Sequence, residues 1–451
     1  VKKLKLTIGK LALGGYGIGH AEGRTVFVPN TAIGDAVEAE VVSERKGIAF
    51  ARVLTYESRP SGTTDPGCDA FQPPSFCGGC DWLMLPYEKQ LQAKTELLQE
   101  LFQPVFPDTV VKAAVPSPSP RHYRNKTFMP VGADEENLFY GIFERGSHRI
   151  VPHRRCLIHP PLFDAIASRC VDICRKAGVQ AYDEGKHGGS LRHIGIRASA
   201  DESRILLILV TRTARLPFSH LLVKQLTEEF PAICGIVQNI NRERGNVILG
   251  DEEKVLHGKP YLYDELGGLS FRIHYRSFWQ VNNSITALII DKIKTLLSKD
   301  ARVLDAYSGI GSLGLNLASS CREVVCVEEC REAVADGEAN AALNNLANAG
   351  FINARVEDAL PALLGDGQIP GFDAVVLDPP RKGVDPASLA AIVTAGIPTI
   401  VCLSCSPMTL LRDLKLLTAQ GTYELKLIQP YDMFPQTWHI ETLALLQRKG
   451  V

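Results

Sequence analysis

The sequence predicts an α/β fold class: a Rossmann-like, doubly wound C-terminal domain preceded by a small β-barrel and a central mixed α/β domain. The first observation is a regular alternation from about residue 276. Strand 302–304, helix 312–319, strand 323–327 and helix 331–345 are followed by strands near 352–356, 373–377 and 398–403. The second is a contrasting N-terminus, where residues 1–60 hold short strands separated by glycines and turn residues. The third is length, since 451 residues exceed one ordinary core. Domains are therefore expected at 1–60, 61–275 and 276–451.

Composition narrows the class. A hydrophobic fraction of 45% and a charged fraction of 22% are those of a soluble globular protein. The longest aliphatic run, Ile205 to Val210, is far short of a membrane span, and the basic start leads into glycines rather than an apolar signal core. A cytoplasmic location, no membrane partner and a monomer are the expectations. Twelve cysteines in such a chain suggest metal ligands, nucleophiles or buried apolar residues rather than disulfides. A formal charge of −1 gives no global sign of nucleic-acid binding, so any such site must come from local clustering.

In the first domain, Thr25–Val28, Ala36–Val42 and Ile48–Leu54 read as strands. Gly14-Gly-Tyr-Gly-Ile-Gly19, Phe27-Val-Pro29 and Gly34-Asp35 resemble the TRAM module, an OB-like barrel attached to RNA-modifying enzymes. RNA is the partner which that resemblance implies. Tyr16 and Phe27, with Lys2, Lys3, Lys5 and Lys10, are the candidates for base stacking and phosphate contact.

The next stretch contains Cys68, then Cys77-Gly-Gly-Cys80, with Cys156 further on in Arg154-Arg-Cys-Leu-Ile-His159. The glycines let the CxxC backbone fold tightly enough for both sulfurs to face one centre. Four thiolates suit zinc or iron–sulfur equally, and spacing leaves both open. The pattern resembles the motif of uridine-5-methyltransferases that carry a [4Fe–4S] cluster, although the gap of eight residues after Cys68 is longer than usual. The resemblance implies Cys68, Cys77, Cys80 and Cys156 as ligands. Cys170 and Cys174 lie in an amphipathic helix, Phe163 to Cys174, and read as packing.

Glu88 to Phe102 has helical periodicity, and strands at 137–143, 204–210 and 235–239 with a helix at 218–230 complete the central region. Between residues 121 and 155, seven Lys/Arg (Arg121, Arg124, Lys126, Arg145, Arg149, Arg154, Arg155) face four acids. This local basic patch favours RNA backbone binding.

The C-terminal domain carries the chemistry. Asp305-x-x-x-Gly309-x-Gly311 resembles the first motif of S-adenosylmethionine-dependent methyltransferases, while a full GxGxxG for a nicotinamide cofactor is absent. Glu328 ends the next strand, where a carboxylate can accept from both ribose hydroxyls. Asp358 follows the third strand and is placed to reach the adenine amino group. Ser277-Phe-Trp-Gln-Val-Asn282, the Asp305 loop, Asp378-Pro-Pro-Arg-Lys-Gly383, Leu403-Ser-Cys405-Ser-Pro407 and His439-Ile-Glu441-Thr442 then follow one another in the order and spacing of RNA uracil-5-methyltransferases. With the barrel and cysteines the resemblance spans nearly the whole chain, and it is closest to the branch that methylates 23S ribosomal RNA.

That resemblance implies Cys405 as nucleophile and Glu441 as base. It places Gln280, Tyr307, Ser312, Glu328, Asp358 and Asp378 around S-adenosylmethionine and substrate, with Ser312 standing where close relatives often carry Asn. The chemistry needs these types: C5 of uracil attacks a methyl group only after a thiolate adds to C6, and a base must then remove the C5 proton. Gln280 or Arg381 would steady the enolate oxygen. Phe278 and Phe434 are candidate stacking partners for an extruded base. Cys402 also makes a CxxC with Cys405, but lies inside an apolar strand without redox context. The same chemistry on transfer RNA is the second reading, and a non-catalytic RNA-binding or redox-sensing iron–sulfur protein is the third. Amino-group methylation of DNA uses a similar Asp-Pro-Pro loop, but Cys405 with Glu441 argues against it.

Overall fold

The computed structural model describes residues 2–134, 137–365 and 371–450. Its contacts divide the chain into two compact units. One comprises Val1–Gln90, Ser119–Leu262 and Pro435–Trp438; the other comprises Leu91–Pro118, Tyr263–Phe434 and His439–Val451. Composition placed 91–118 in the central region and 435–438 in the catalytic domain, whereas contacts exchange the two segments. Backbone pairing explains the first exchange, because the strand-like pieces at Val111 and Val115 bridge to Ile428 and Tyr431, at the edge of the second unit's sheet.

In the first unit, β1 (Lys3–Ala12), β2 (Tyr16–Ala21), β3 (Arg24–Pro29), β4 (Ala36–Arg45) and β5 (Ile48–Ser58) close into a barrel in the order β1-β2-β3-β5-β4. Strict alternation drives it. Leu4, Leu6, Ile8, Val26, Val28, Val37 and Val53 point inward and are buried, and pairing of β1 with both β2 and β4 leaves no open edge. On the outer face Phe27 stacks on Phe50 at 5.2 Å between ring centroids, and Tyr16 meets both edge-on at 5.8 and 5.5 Å.

The same unit holds a seven-stranded sheet running, in spatial order, 150–152, 138–143, 126–133, 191–198, 205–211, 233–240 and 252–258. All its pairs are antiparallel except 205–211 with 233–240, which is parallel and is joined through helix Ser219–Glu229. Helix Pro161–Lys176 begins with proline at its first turn and lays Phe163, Ile166, Cys170 and Cys174 into the core against Met129 and Ile194. Cys170 and Cys174 are buried packing residues, as their helical spacing predicted.

The second unit is built on a sheet ordered 349–353, 323–328, 302–306, 374–377, 399–404, 441–448 and 423–431. Strands up to 399–404 are parallel and almost continuously apolar, as strands covered on both faces must be. The last two are antiparallel. This reversal positions the site: the parallel strands end in Tyr307, Glu328, Asp378 and Cys405, and an antiparallel neighbour starts where they end. Ser404 pairs with Thr442, so Glu441 begins its strand at the level where Cys405 leaves its own. Among the described residues no helix is long and apolar enough to cross a membrane.

Candidate active site and cysteine cluster

At the carboxyl ends of the parallel strands lies a group of buried polar atoms without partners. Asp305 Oδ1, the Tyr307 hydroxyl, Ser308 Oγ and Glu441 Oε1 are all buried and make no hydrogen bond. A folded protein satisfies most such atoms, so their concentration at strand ends marks a place built for a ligand. Tyr307 is held at φ +67°, a conformation an aromatic residue rarely adopts and one that clusters at functional sites.

The glycine turn has a local cause. The Gly314 amide donates to Asp305 Oδ2 at 2.8 Å, and a Cβ there would lie 2.5 Å from Cys326 Sγ, so only glycine lets the helix start pack this close. Glu328 accepts from the amides of Gly309 at 3.0 Å and Cys330 at 2.8 Å, which fixes its carboxylate while each oxygen keeps a second lone pair. Tyr307, Glu328, Glu357, Pro380 and Lys382 line a cavity of about 180 Å³. Asp358, the sequence candidate for the adenine side, is exposed on helix Val356–Gly365, and its neighbour Glu357 occupies the lining instead, paired with Lys382 at 3.6 Å. Glu357 was not among the sequence candidates. Ser312 is half-buried in the turn before helix Gly314–Ala318, its carbonyl accepting from Asn316. Gln280 is half-buried just ahead of helix Asn283–Leu296, which Asn282 caps, and Phe278 beside it is 68% exposed.

Cys405, Glu441, Asp378 and Arg381 act on one another electrostatically. Burial raises the Cys405 thiol, the Glu441 carboxylate adds to the rise, and Arg381 opposes it by charge and hydrogen bond. Glu441 is only 4% exposed, and burial followed by the Asp378 charge lifts it well above the ordinary carboxylate range. Asp378 is raised to about 6 by burial, and Asp305 to about 8 by burial and then by Asp378. Carboxyls that resist ionisation together form a pocket that favours a positive charge, such as the sulfonium of S-adenosylmethionine. Cys402 is buried inside its strand and held up to a very high pKa by burial, as inert cysteines are.

A prediction follows for Asp305. Its folded pKa lies above the unfolded one, so its contribution to stability is full below about pH 4 and is lost as pH rises through about 8. Asp305→Asn is expected to raise the melting temperature relative to the parent at pH 9 and to leave little difference at pH 4, measured by thermal unfolding without cofactor. An equal shift at both pH values would contradict a buried, proton-retaining Asp305.

The cysteine site lies in the first unit. Cys68, Cys77, Cys80 and Cys156 are half-buried and close enough to raise one another: burial pushes Cys77 to about 12 and Cys80 well above the usual thiol range, with the other thiolates adding. Gly79 donates its amide to Cys77 Sγ, and a Cβ on Gly78 would strike the Phe143 carbonyl at 2.6 Å, so Gly78 is the position that requires glycine. Four thiols that repel as thiolates fit a cationic centre. Cys156 differs from the others: burial raises it, but the hydrogen bond and charge of His159 prevail and leave it low. His159 Nε2 in turn lies 3.1 Å from Asp164 Oδ1, and the ligand atoms of His153, Cys156 and His159 fall within 4.8 Å of one another. The histidines were not among the sequence candidates.

The basic patch is smaller than its composition. Lys126 is half-buried and lowered to about 6 by burial and then by Arg197 and Arg124, so it is not a surface phosphate contact. Arg149 pairs with Glu144, and Arg145 with Asp81 at 2.8 Å. Arg121, Arg154 and Arg155 remain exposed.

A Rossmann-like sheet with this glycine turn and a closed OB-like barrel are the layouts of a nucleotide-cofactor site and of a nucleic-acid-binding module. The family described as tRNA (Uracil-5-)-methyltransferase matches residues 209–449, and the TRAM domain matches residues 1–54. The chain therefore belongs to the RNA uracil-5-methyltransferase family. An uncharacterized RNA methyltransferase of Bacillus cereus is 37% identical over 438 residues, covering 96% of this chain and 94% of that protein. One from Halalkalibacterium halodurans is 36% identical over 451 residues, covering 99% and 97%. Among solved structures, the Pyrococcus abyssi tRNA (uracil-54, C5)-methyltransferase in complex with S-adenosyl-L-homocysteine superposes with a TM-score of 0.80 at 25% identity, over 98% of this chain and 99% of that one.

Proposed function

We propose that this enzyme transfers a methyl group from S-adenosylmethionine to C5 of a uridine in 23S ribosomal RNA. The observation that carries the chemistry is the pairing of a half-buried thiol, Cys405, with a buried carboxyl, Glu441, across two neighbouring strands of opposite direction. S-Adenosylmethionine supplies the electrophilic methyl and leaves as the thioether. Cys405, as thiolate, adds to C6 of the base and moves an electron pair towards C5; Arg381 stabilises the thiolate. After C5 has taken the methyl, Glu441 removes its proton, the C5–C6 double bond returns and the Cys405 thiolate leaves. Burial raises the Glu441 carboxyl, so in its ionised form it is a stronger base than an ordinary carboxylate.

Ribosomal RNA is supported by the barrel, the four-thiol site and exposed Arg121, Arg154 and Arg155, which suit a large folded RNA. The similarity to the Pyrococcus abyssi enzyme, with its printed tRNA uracil-54 activity, favours transfer RNA as the second reading. Mass mapping of 5-methyluridine in both RNAs, from cells with and without the gene, tests them. Loss confined to 23S ribosomal RNA is expected; loss confined to transfer RNA would overturn the ribosomal assignment.

Cys68, Cys77, Cys80 and Cys156 would hold a [4Fe–4S] cluster, ordering the surrounding loops, since methyl transfer needs no net redox step. Anaerobically purified protein is expected to be brown and to contain iron and sulfide, losing both in Cys77→Ser and Cys80→Ser. Stoichiometric zinc without iron would instead indicate a mononuclear site, for which His153 and His159 beside Cys156 offer further donors.

A further inference from the structure

In the first unit, with Gly78 of the CxxC loop in its wall, the seven-stranded sheet carries a cavity of about 740 Å³. That volume lies within the roughly 300–1,000 Å³ typical of sites for small organic groups. Met129 and Ile194 face the helix-covered core, so their chain neighbours Phe128 and His193 face the other side of the sheet, where they line the cavity. Phe143 and Tyr182 add two more aromatic rings.

The wall is pre-organised. Arg192 lays its guanidinium 4.4 Å from the Tyr182 ring centre and donates to the carbonyls of Asn241 at 2.9 Å and Glu243 at 2.6 Å. Asn241 in turn holds the carbonyls of Val247 and Ile248, which fixes the loop that forms the rim. Two buried nitrogens in this wall, Arg192 Nε and His193 Nδ1, have no hydrogen-bond partner. Leaving such groups unsatisfied is costly unless something else binds them. Burial and the Arg192 charge keep His193 neutral at neutral pH, so its ring nitrogens can offer one donor and one acceptor.

The acids of the lining are already engaged, Glu144 with Arg149 and Glu184 with His148. A flat heteroaromatic group with hydrogen-bonding edges fits such a lining better than an anion or an aliphatic chain does. One cavity residue also touches the barrel. Arg145 lines the cavity and sets its guanidinium 4.4 Å from the ring centre of Tyr16, the start of the outward Tyr16–Phe27–Phe50 cluster, in which Phe50 is 39% exposed. Aromatic surfaces in succession along a basic track are how single-stranded nucleic acid is held without base pairing.

We propose that this cavity receives an unpaired nucleobase of the RNA substrate, distinct from the target uridine, and that the adjoining Tyr16–Phe27–Phe50 face stacks the nucleotides leading to it. The proposal rests on the RNA-methyltransferase reading and assigns recognition of flanking sequence to this pair of surfaces.

Val247, 72% exposed on the rim, and Phe50 can be changed without opening the core. Full-length Val247→Asp and Phe50→Ala are therefore compared with the parent on in vitro transcribed 23S ribosomal and transfer RNA carrying 4-thiouridine. Photo-crosslinks to peptides around residues 182–193 and 245–248 are expected. The RNA Kd and KM should rise about tenfold in Phe50→Ala, the order of one lost stacking contact, and should also rise in Val247→Asp, which sets a carboxylate at the cavity mouth, with kcat and S-adenosylhomocysteine binding unchanged. Parent-like Kd in both variants, or crosslinks that avoid these peptides, would overturn the proposal while the parent still methylates RNA. A parent that methylates neither RNA would instead defeat the reading of function.

Discussion

Cys405→Ala is expected to lower methyl transfer by at least roughly a thousandfold, the scale of a lost covalent nucleophile, while binding S-adenosylhomocysteine normally. The separation follows from the layout. The glycine turn, Glu328 and the cavity beside Glu357 depend on the ends of strands 302–306 and 323–328, whereas Cys405 ends strand 399–404. The substitution removes a half-buried sulfur and leaves the strand's pairing with 441–448 intact. Calorimetry with S-adenosylhomocysteine and single-turnover methylation read the two effects separately. Residual transfer within tenfold of the parent would remove Cys405 from the chemistry.

Glu441→Gln is expected to methylate once and then stall as protein covalently joined to RNA, because addition and methyl transfer precede loss of the C5 proton. Release should slow by roughly 100- to 10,000-fold, the usual contribution of a general base. Folding should survive, since the buried carboxyl already favours its neutral form and an amide resembles it. The amide places no negative charge beside Cys405, so formation of the adduct is not impaired. A denaturing gel with labelled RNA shows the outcome. Release as fast as in the parent, with no slow-migrating band, would assign the proton transfer to another group.

Much of this was legible because the signals were local. Strands 302–306, 374–377 and 399–404 are buried along nearly their whole length, and such strands read as near-continuous apolar runs. Helix Pro161–Lys176 was legible from its stripe. What the sequence hid is how side chains pair and pack once the chain is folded. The basic count at 121–155 could not reveal that Lys126 packs under Arg197, or that Arg149 is neutralised by Glu144. Nor could the spacing of Cys156 announce the His159–Asp164 pair, which forms where the loop before helix Pro161–Lys176 folds against the helix's first turn. Glu357, rather than Asp358, lines the cavity because the strand expected near 352–356 ends at Asn353 and the chain is already helical from Val356.

The exchange of segment 91–118 sets a timetable for synthesis. Lys94 and Asp432 form an ion pair that is 0% exposed on both sides, yet they are separated by 338 residues. At the usual elongation rates of about 5–20 residues per second, Lys94 leaves the ribosome roughly 20–70 s before its counter-charge exists. Until then, 91–118 has no sheet edge to bridge at Ile428 and Tyr431. The barrel's residues all precede Arg59, so that module can close early in translation. The methyltransferase sheet must wait for nearly the whole chain, and its early segment is the part a holdase chaperone would be expected to cover.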